Sequence, residues 1–167
     1  YTLMSRLNES LHGVGVLDLS RCLPGPLATL LLADLGAEVL KIEAPSGDPM
    51  QELGPRDAAG RPLFYASINA GKAVRRMDLK DPEARGDFLH LVERADILLE
   101  SFRPGVMARL GLDYATLSAV NPRLVYCALS GYGAFGPRAN EAGHDANYLA
   151  LTGVLHRNGR HSPDYFD

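Results

Sequence analysis

The chain has 167 residues, of which 46% are hydrophobic and 22% charged, a globular composition that can bury the core of one ordinary domain. Its formal net charge is −3 and no basic stripe runs along it, which argues against nucleic acid as a partner. The longest mostly apolar run, Pro26 to Ala33, is too short to span a bilayer, and no secretory signal opens the chain. We therefore expect a cytoplasmic protein without a membrane segment.

The first 62 residues predict a strand, a helix, a second strand and a long loop. The strand covers residues 14–19, a break follows at 23–26, and the helix covers 27–35. The second strand covers 38–43, and the loop at 44–62 is rich in Pro, Gly and Asp. A β-α-β unit of this kind has parallel strands.

The alternation of strands and helices continues in the middle of the chain. A third strand is predicted at residues 73–79 and a fourth at 96–101. Between them, Asp81 is the expected N-cap and Pro82 the first residue of a helix that runs to about Arg94.

Two short helices within residues 104–120, a fifth strand at 123–129 and a glycine-rich loop at 131–143 follow. A helix is expected over residues 144–155. Five strands that alternate with helices indicate the α/β class, with a Rossmann-like, doubly wound, mostly parallel sheet. Sheets of this kind bind their ligands at the carboxyl ends of the strands.

A dinucleotide site is the first hypothesis for such a sheet, and the glycines argue against it. The fingerprint needs G-x-G-x-x-G between the first strand and its helix, whereas Gly13 and Gly15 come before that strand or at its start. Glu43 stands at the end of the second strand, where a ribose-binding acid would stand. Without the glycines, a surface or loop-anchoring role is the better interpretation of Glu43.

Several basic residues near strand ends could meet phosphate groups, because Lys and Arg attract phosphate and Arg can bind it bidentately. Taken singly, each is better interpreted as a solvated surface charge. The segment Arg103-Pro104-Gly105 is more suggestive, since a loop that leaves a strand and opens a helix is a natural anion site. The basic residues concerned are Lys41, Lys72, Lys80, Arg103 and Arg109.

The cysteines and histidines give one candidate for chemistry and no metal site. Cys22 and Cys127 match no metal-ligand spacing, and we expect two buried thiols. His144 differs from the other four histidines because it leaves a glycine-flanked loop at the predicted start of a helix. A helix N-terminus favours the neutral, basic form of imidazole. On spacing alone, a surface or structural role for His144 stays open.

A set of segments, each weak alone and specific together, runs in a fixed order from about residue 12 to 160. These segments are 13–19, 24–26, 32–43, 77–80, 95–106, 121–126, 129–133, 136–137 and Ala142-Gly143-His144-Asp145-Ala146-Asn147-Tyr148. In them the chain resembles the family III CoA-transferases, the CaiB/BaiF group. That group includes formyl-CoA transferase, carnitine-CoA transferase and the α-methylacyl-CoA racemases.

The resemblance implies a partial chain, because members of the family are roughly twice this length or more. They form interlocked homodimers in which each chain is threaded through the other, and they use coenzyme A thioesters as substrates without a prosthetic group. On this basis residues 1–12 are an N-terminal extension, and 13–160 are the N-terminal half of a CoA-binding, Rossmann-like domain. Residues 161–167 are then a truncated tail or the start of a missing segment.

The resemblance also implies a set of coenzyme A contacts. Arg109 matches a position that meets a CoA phosphate. One departure concerns Ala44, which stands where many members carry an arginine at the nucleotide end of CoA. Either Lys41 or a residue of the long loop compensates, or CoA binds differently. The expected contacts are Met77, Asp78, Leu79, Lys80, Ser101, Phe102, Arg103, Arg109, Asp145, Asn147 and Tyr148.

His144 bears on the branch of the family. In the racemases the Gly-His-Asp-x-Asn-Tyr segment supplies one of two catalytic bases, so His144 is the candidate base that removes the proton alpha to the thioester. The transferases rely instead on an Asp that attacks the acyl thioester, and the racemases use this Asp as their second base. We expect it after residue 167, with Asp164 as the alternative.

Three functional hypotheses follow from the resemblance. The first is a 2-methylacyl-CoA racemase with His144 as base, and the second is a transferase that moves CoA between carboxylic acids. The third is a non-catalytic CoA-binding fragment. If the chemistry needs the downstream Asp, the 167 residues alone are inactive.

Overall fold

Five short strands alternate with helices along residues 9–158, the part of the chain that the computed structural model describes. The chain divides into two compact units, Tyr1–Leu129 and Ser130–Asp167. All five strands belong to the first unit. They are β1 (Gly15–Leu19), β2 (Glu38–Glu43), β3 (Ala73–Arg76), β4 (Ile97–Glu100) and β5 (Val125–Ala128).

Seven α-helices connect or follow the strands within the described residues. The first unit also holds a short 3-10 helix at Pro49–Glu52, inside the long loop. No helix within residues 9–158 is long and apolar enough to cross a membrane. The helices are α1 (Pro24–Asp34), α2 (Leu63–Ile68), α3 (Pro82–Val92), α4 (Val106–Arg109), α5 (Tyr114–Val120), α6 (Asp145–Leu151) and α7 (Val154–Arg157).

The sheet has the strand order β3-β2-β1-β4-β5, and all four pairings are parallel. This order confirms the predicted α/β class with a Rossmann-like sheet. The chain builds β1, β2 and β3 outward in one direction and then returns to place β4 on the other side of β1. The carboxyl ends of β1 and β4 therefore mark the point at which the strand order reverses, where such sheets bind ligands.

Apolar side chains cover both faces of the sheet. On one face, Leu17 and Leu98 pack with Phe88 and Val92 of α3 in the larger core cluster, to which α4 and α5 also contribute. On the other face, Val16 belongs to a smaller cluster with residues of α1. Neighbouring residues of β1 thus enter different clusters, as the two-residue period of a strand requires. The sheet is covered on both sides, as in doubly wound folds.

The helix after β1 begins at Pro24, three residues earlier than the sequence predicts. Proline is well suited to the first turn of a helix, where its missing N–H is not needed. Gly25 allows the helix to approach β1 closely, because a Cβ atom at this position would lie 2.2 Å from the Cβ of Ser20. Cys22 makes the turn between the two elements with a left-handed φ of 66°.

Other differences from the prediction concern ends and interruptions. Helix α2 lies in a region for which no helix was predicted, and β3 ends at Arg76 rather than at residue 79. The helix expected over residues 144–155 is broken at Gly153, whose φ is 77°. Asp81 does cap α3, as predicted, by accepting a hydrogen bond of 3.0 Å from the Ala84 N–H.

The two cysteines contradict the expectation of buried thiols. Cys22 and Cys127 are both exposed free cysteines. Cys22 is exposed because it lies in the turn before α1, and Cys127 because its strand, β5, is at the edge of the sheet. Residues 1–8 and 159–167, with them Asp164, lie outside the described part of the chain.

Asn121 connects the end of α5 to the end of α3. Its Nδ2 donates hydrogen bonds to the carbonyl oxygens of Val92 at 2.9 Å and of Ala95 at 2.8 Å, and the residue is buried. Asn121→Ala leaves both buried carbonyls without this donor, so we expect the free energy of unfolding to fall by about 1–3 kcal/mol. Urea denaturation measures it.

Ser118→Ala is the control for this prediction, because Ser118 is only partly buried and its hydroxyl bonds within its own helix to the Ala115 carbonyl. Its free energy of unfolding should change by less than about 0.5 kcal/mol. Equal losses in the two variants would contradict a connecting role for Asn121.

Candidate functional site

A cavity of about 480 Å³ lies in the first unit at the carboxyl ends of β1, β2 and β4 and beside the segment that follows β3. This is the edge at which the strand order reverses, and the volume is in the range of small-molecule sites. The cavity combines apolar and charged side chains. Its lining residues are Leu19, Arg21, Ile42, Glu43, Ala44, Gly47, Asp48, Met77, Asp78, Leu79, Lys80, Phe102, Arg103, Val106, Arg109 and Leu110.

Seven of the predicted contact residues line this one cavity, although they come from two separate segments. The residues after β3 are Met77, Asp78, Leu79 and Lys80, and those after β4 are Phe102, Arg103 and Arg109. They meet because parallel strands present their carboxyl ends at the same edge of a sheet. The structure therefore brings these residues together, while their role as ligand contacts stays a prediction.

Ser101 adjoins the cavity without lining it. Its Oγ accepts a hydrogen bond of 3.0 Å from the Arg21 N–H and so connects the end of β4 to the turn after β1. The Arg21 guanidinium lies over the ring of Phe102, with its Cζ 5.2 Å from the ring centroid. This cation–π contact joins the two strand ends at the cavity wall. Sequence reasoning missed Arg21, since its position relative to Phe102 depends on the pairing of β1 with β4.

The charges of the cavity favour an anionic ligand. Four cationic side chains line it, and the three carboxylates that also line it are engaged by the protein. Asp78 accepts a hydrogen bond from the Lys80 N–H at 3.1 Å. Glu43 and Asp48 take part in the networks described next. The four cations are Arg21, Lys80, Arg103 and Arg109.

Glu43 anchors the long loop, as one of its two sequence interpretations predicts. Its carboxylate accepts hydrogen bonds from the Tyr65 hydroxyl at 2.5 Å and from Gln51 Nε2 at 3.1 Å. Burial, followed by the hydrogen bond to Glu43, raises the pKa of Tyr65 above its ordinary value, so the phenol stays protonated and remains a donor. The loop wall of the cavity is therefore attached to the end of β2.

Lys41 and Lys72 were expected either to contact phosphate or to be solvated surface charges. Both side chains are instead buried in ion pairs. The Lys41 ammonium is completely buried and lies 3.1 Å from Asp48 Oδ2, and it donates to the Ser20 carbonyl at 2.8 Å. This position excludes Lys41 as the residue that compensates for Ala44. The sequence could not show it, because Lys41 is brought to Asp48 and Ser20 by the folding of two separate loops.

Lys72 forms the second buried pair. Its ammonium lies 3.2 Å from Asp18 Oδ2 and donates to the Pro26 carbonyl at 2.7 Å and to Thr29 Oγ1 at 2.8 Å. Loss of hydration lowers the pKa of Lys72, while Asp18 acts in the opposite direction. The two pairs together connect the ends of β1 and β2, the start of α1 and the loop after β2, and Asp48 of the first pair lines the cavity.

Glu100 holds the backbone after β4 in place. Its carboxylate accepts hydrogen bonds from the Phe102 N–H at 2.7 Å and from the Tyr126 hydroxyl at 3.3 Å. Burial raises the pKa of Glu100, against the opposing effect of these two donors. The contact fixes the turn that carries Phe102 and Arg103 into the cavity.

The predicted residues of the second unit form a local structure at the start of α6. His144 is the N-cap residue and is exposed, and its backbone N–H donates to Asn147 Oδ1 at 2.9 Å. The Tyr148 hydroxyl donates to the Gly143 carbonyl at 3.0 Å. Asp145 is the first residue of the helix. The predicted position of His144 at a helix start is thus confirmed, and its catalytic role stays a prediction.

Two glycines let Tyr148 close this turn. A Cβ atom at Gly131 would lie 2.1 Å from the Tyr148 hydroxyl oxygen, and one at Gly143 would lie 2.8 Å from the same atom. The Tyr148 ring meets Tyr132 edge to face at a centroid distance of 5.4 Å. In the part of the chain that the structure describes, no group of three or more His, Cys, Asp or Glu side chains could hold a metal ion.

Comparison with known proteins gives a family match over most of the chain. The model of CoA-transferase family III matches residues 11–165. Acetyl-CoA:oxalate CoA-transferase of Acetobacter aceti is 42% identical over 148 residues, which cover 88% of this chain and 38% of that protein. Human alpha-methylacyl-CoA racemase is 41% identical over 151 residues, which cover 90% of this chain and 36% of the racemase.

A solved structure agrees in fold. The crystal structure of a CAIB/BAIF family protein from Brucella suis superposes with a TM-score of 0.88 at 35% identity, covering 93% of this chain and 43% of that one. The chain therefore spans less than half the length of the relatives that it matches.

The buried Lys41–Asp48 pair gives a prediction for stability. Lys41→Met leaves the Asp48 carboxylate buried without its cation, so we expect the free energy of unfolding to fall by about 3–5 kcal/mol. Adding Asp48→Asn removes the buried charge, and the new amide oxygen can still accept the hydrogen bond that Asp48 Oδ1 takes from the Met50 N–H. The double variant should recover a large part of the loss in urea denaturation.

The exposed pair of Arg75 with Asp87, at 2.9 Å, supplies the control. Arg75→Met should lower the free energy of unfolding by less than about 1 kcal/mol, because water screens an exposed pair. A Lys41→Met variant as stable as Arg75→Met would show that the buried pair does not support the site.

Proposed function

Because this chain belongs to CoA-transferase family III, we propose that it binds a coenzyme A thioester in the cavity at the carboxyl edge of its sheet. We propose further that His144 acts as the base that removes the proton alpha to the thioester carbonyl. The function is then that of a 2-methylacyl-CoA racemase. The observation that carries the binding part is the convergence of Lys80, Arg103 and Arg109 with apolar side chains in one cavity.

The cavity suits the chemistry of coenzyme A in two respects. Its arginines and lysine attract phosphate groups, and Arg109 and Arg103 can bind them bidentately. Its apolar side chains, among them Met77, Leu79 and Phe102, offer a surface to the flat adenine ring. Coenzyme A enters this proposal as part of the substrate, with no prosthetic group.

The proposed base has the chemistry that the reaction requires. Removal of a proton alpha to a thioester needs a base whose pKa is near neutral, and imidazole is the side chain that meets this condition without large perturbation. His144 is exposed and stands at the entrance of a helix whose first turn is fixed by Asn147 and Tyr148. Racemisation also needs an acid on the opposite face, for which we propose the Asp expected after residue 167.

A CoA-transferase is the second candidate, and the names of the relatives favour it. Acetyl-CoA:oxalate CoA-transferase is as similar to this chain as the racemase is, at 42% against 41% identity. A transferase shares the CoA site and replaces proton removal by attack of a carboxylate on the acyl thioester. His144 then lies outside the chemistry.

We also propose that the complete protein is an interlocked cytoplasmic homodimer. One observation that supports a further protein surface is a row of leucines that begins at the N-cap of α1 and continues along the helix. Leu23, Leu27 and Leu31 recur every four residues and are 43%, 43% and 57% exposed. An exposed apolar row on a helix is typical of a surface that another segment or chain covers.

Arg109→Gln tests the binding part of the proposal. Loss of one charge-assisted contact to a CoA phosphate should weaken CoA binding by about tenfold or more, measured by calorimetry on the natural full-length protein. Arg123→Gln is the matched control, because Arg123 precedes β5 and therefore lies at the amino ends of the strands, whereas the cavity lies at their carboxyl ends. Equal affinities of the two variants for CoA would refute a CoA site in this cavity.

His144→Gln distinguishes the two reactions. If His144 is the base, the variant should lose about 100-fold or more of the rate of deuterium exchange at C2 of a 2-methylacyl-CoA, followed by mass spectrometry in D₂O. His156→Gln, on the neighbouring helix α7, should keep the rate. Transfer of CoA between carboxylic acids without any exchange, at the same rate in wild type and His144→Gln, would instead establish the transferase.

A further inference from the structure

The last residue of β3, Arg76, lies beside the loop wall of the cavity. It pairs in register with Glu43 on β2. A Cβ atom at Gly47 would lie 3.3 Å from Arg76 Nη2, so the guanidinium covers this glycine closely. Gly47 in turn lines the cavity. Arg76 thus places a cation at the rim of the cavity, on the side of β2 and β3.

Two carboxylates that line the cavity on this side, those of Glu43 and Asp48, are bound to other groups. Glu43 accepts hydrogen bonds from Tyr65 and Gln51, and Asp48 is paired with Lys41. Across residues 9–158, the side chain of Arg76 has no hydrogen bond or ion pair, and the residue is exposed. Its neighbour Arg75 faces α3 instead and is paired with Asp87 at 2.9 Å. Arg76 is therefore available to a ligand, whereas Arg75 is not.

The arginines of the long loop are also engaged by the protein. Arg56 Nη2 donates to the Gln51 carbonyl at 2.7 Å, and Arg61 Nε lies 2.6 Å from Asp57 Oδ2. Lys41 is buried and paired with Asp48. Among these cations near the loop wall, Arg76 alone is exposed and has no protein partner within the described residues.

Arg21 follows β1, in the middle of the sheet, and the other cations at the cavity form two groups on opposite sides. Arg103 and Arg109 follow β4, whereas Arg76 ends β3 and Lys80 follows it. In the order β3-β2-β1-β4 these strands are three positions apart, which is roughly 14 Å at the usual strand spacing. A ligand that meets both groups must carry two separate anionic centres. Coenzyme A does so, because its diphosphate and its ribose 3′-phosphate are attached at different atoms of the nucleotide.

We propose that Arg76 binds the 3′-phosphate of coenzyme A, while Arg103 and Arg109 meet the diphosphate. This inference rests on the proposed function, since it assumes that CoA occupies the cavity. The 3′-phosphate is a monoester with close to two negative charges at neutral pH, and a guanidinium can donate two parallel hydrogen bonds to it. Arg76 thereby selects CoA over nucleotides that lack the 3′-phosphate.

The test compares CoA with dephospho-CoA, which lacks only the 3′-phosphate, by calorimetry on the natural full-length protein. Arg76→Gln should bind CoA about tenfold more weakly and dephospho-CoA as well as wild type does. Arg75→Gln, the matched control on the same strand, should change neither affinity by more than about twofold. Arg76→Lys, which keeps the charge, should retain part of the preference for CoA. Circular dichroism establishes that the variants are folded.

Two outcomes overturn the inference. If Arg76→Gln weakens both ligands equally, or neither, while the wild type binds CoA, then Arg76 does not read the 3′-phosphate and the proposed function stands. If the wild type binds neither ligand, the proposed function itself fails, and this inference with it.

Discussion

The candidate site depends on two lysines that are buried beneath it. Lys41 with Asp48 and Lys72 with Asp18 neutralise one another where water is excluded, and the remaining hydrogen bonds of the two lysines go to backbone, hydroxyl and amide oxygens. A buried charge without its partner costs several kcal/mol, so each lysine restricts where its loop can run. The two pairs thereby fix the ends of β1 and β2 and the loop after β2, which form part of the cavity wall.

Much of the fold was predictable, because strand and helix composition is local. The sequence predicts all five strands, and β2 has the predicted ends. The start of α3 was also predictable. Asp81 caps the helix by accepting a hydrogen bond from the N–H of Ala84, only three residues away in sequence, so the capping residue can be recognised locally. Helix α2 was not predicted. Helix α1 begins three residues earlier than predicted, because the close approach of Gly25 to Ser20 can be seen only in the folded chain.

The site was predictable in part, for a related reason. The family resemblance predicted contacts at residues 77–80 and at Ser101, Phe102, Arg103 and Arg109, and the parallel sheet brings all of these except Ser101 to one cavity. The roles of Lys41, Lys72 and Arg76 were not predictable from spacing. Whether each of these cations is paired depends on the carboxylates that folding brings near it, and such a partner can be far away in sequence, as Asp18 is 54 residues from Lys72.

The absence of the dinucleotide glycines has a consequence for how this sheet meets an anion. A glycine-rich turn holds phosphate through backbone amides that are close to the ligand and shielded from solvent. Here Arg76, Lys80, Arg103 and Arg109 are all exposed side chains. Their field extends into solution over about 8 Å at physiological ionic strength and accelerates the approach of an anionic ligand. The proposed recognition of coenzyme A on this edge is therefore expected to be sensitive to ionic strength, with added salt slowing the binding step before it disturbs the buried ion pairs.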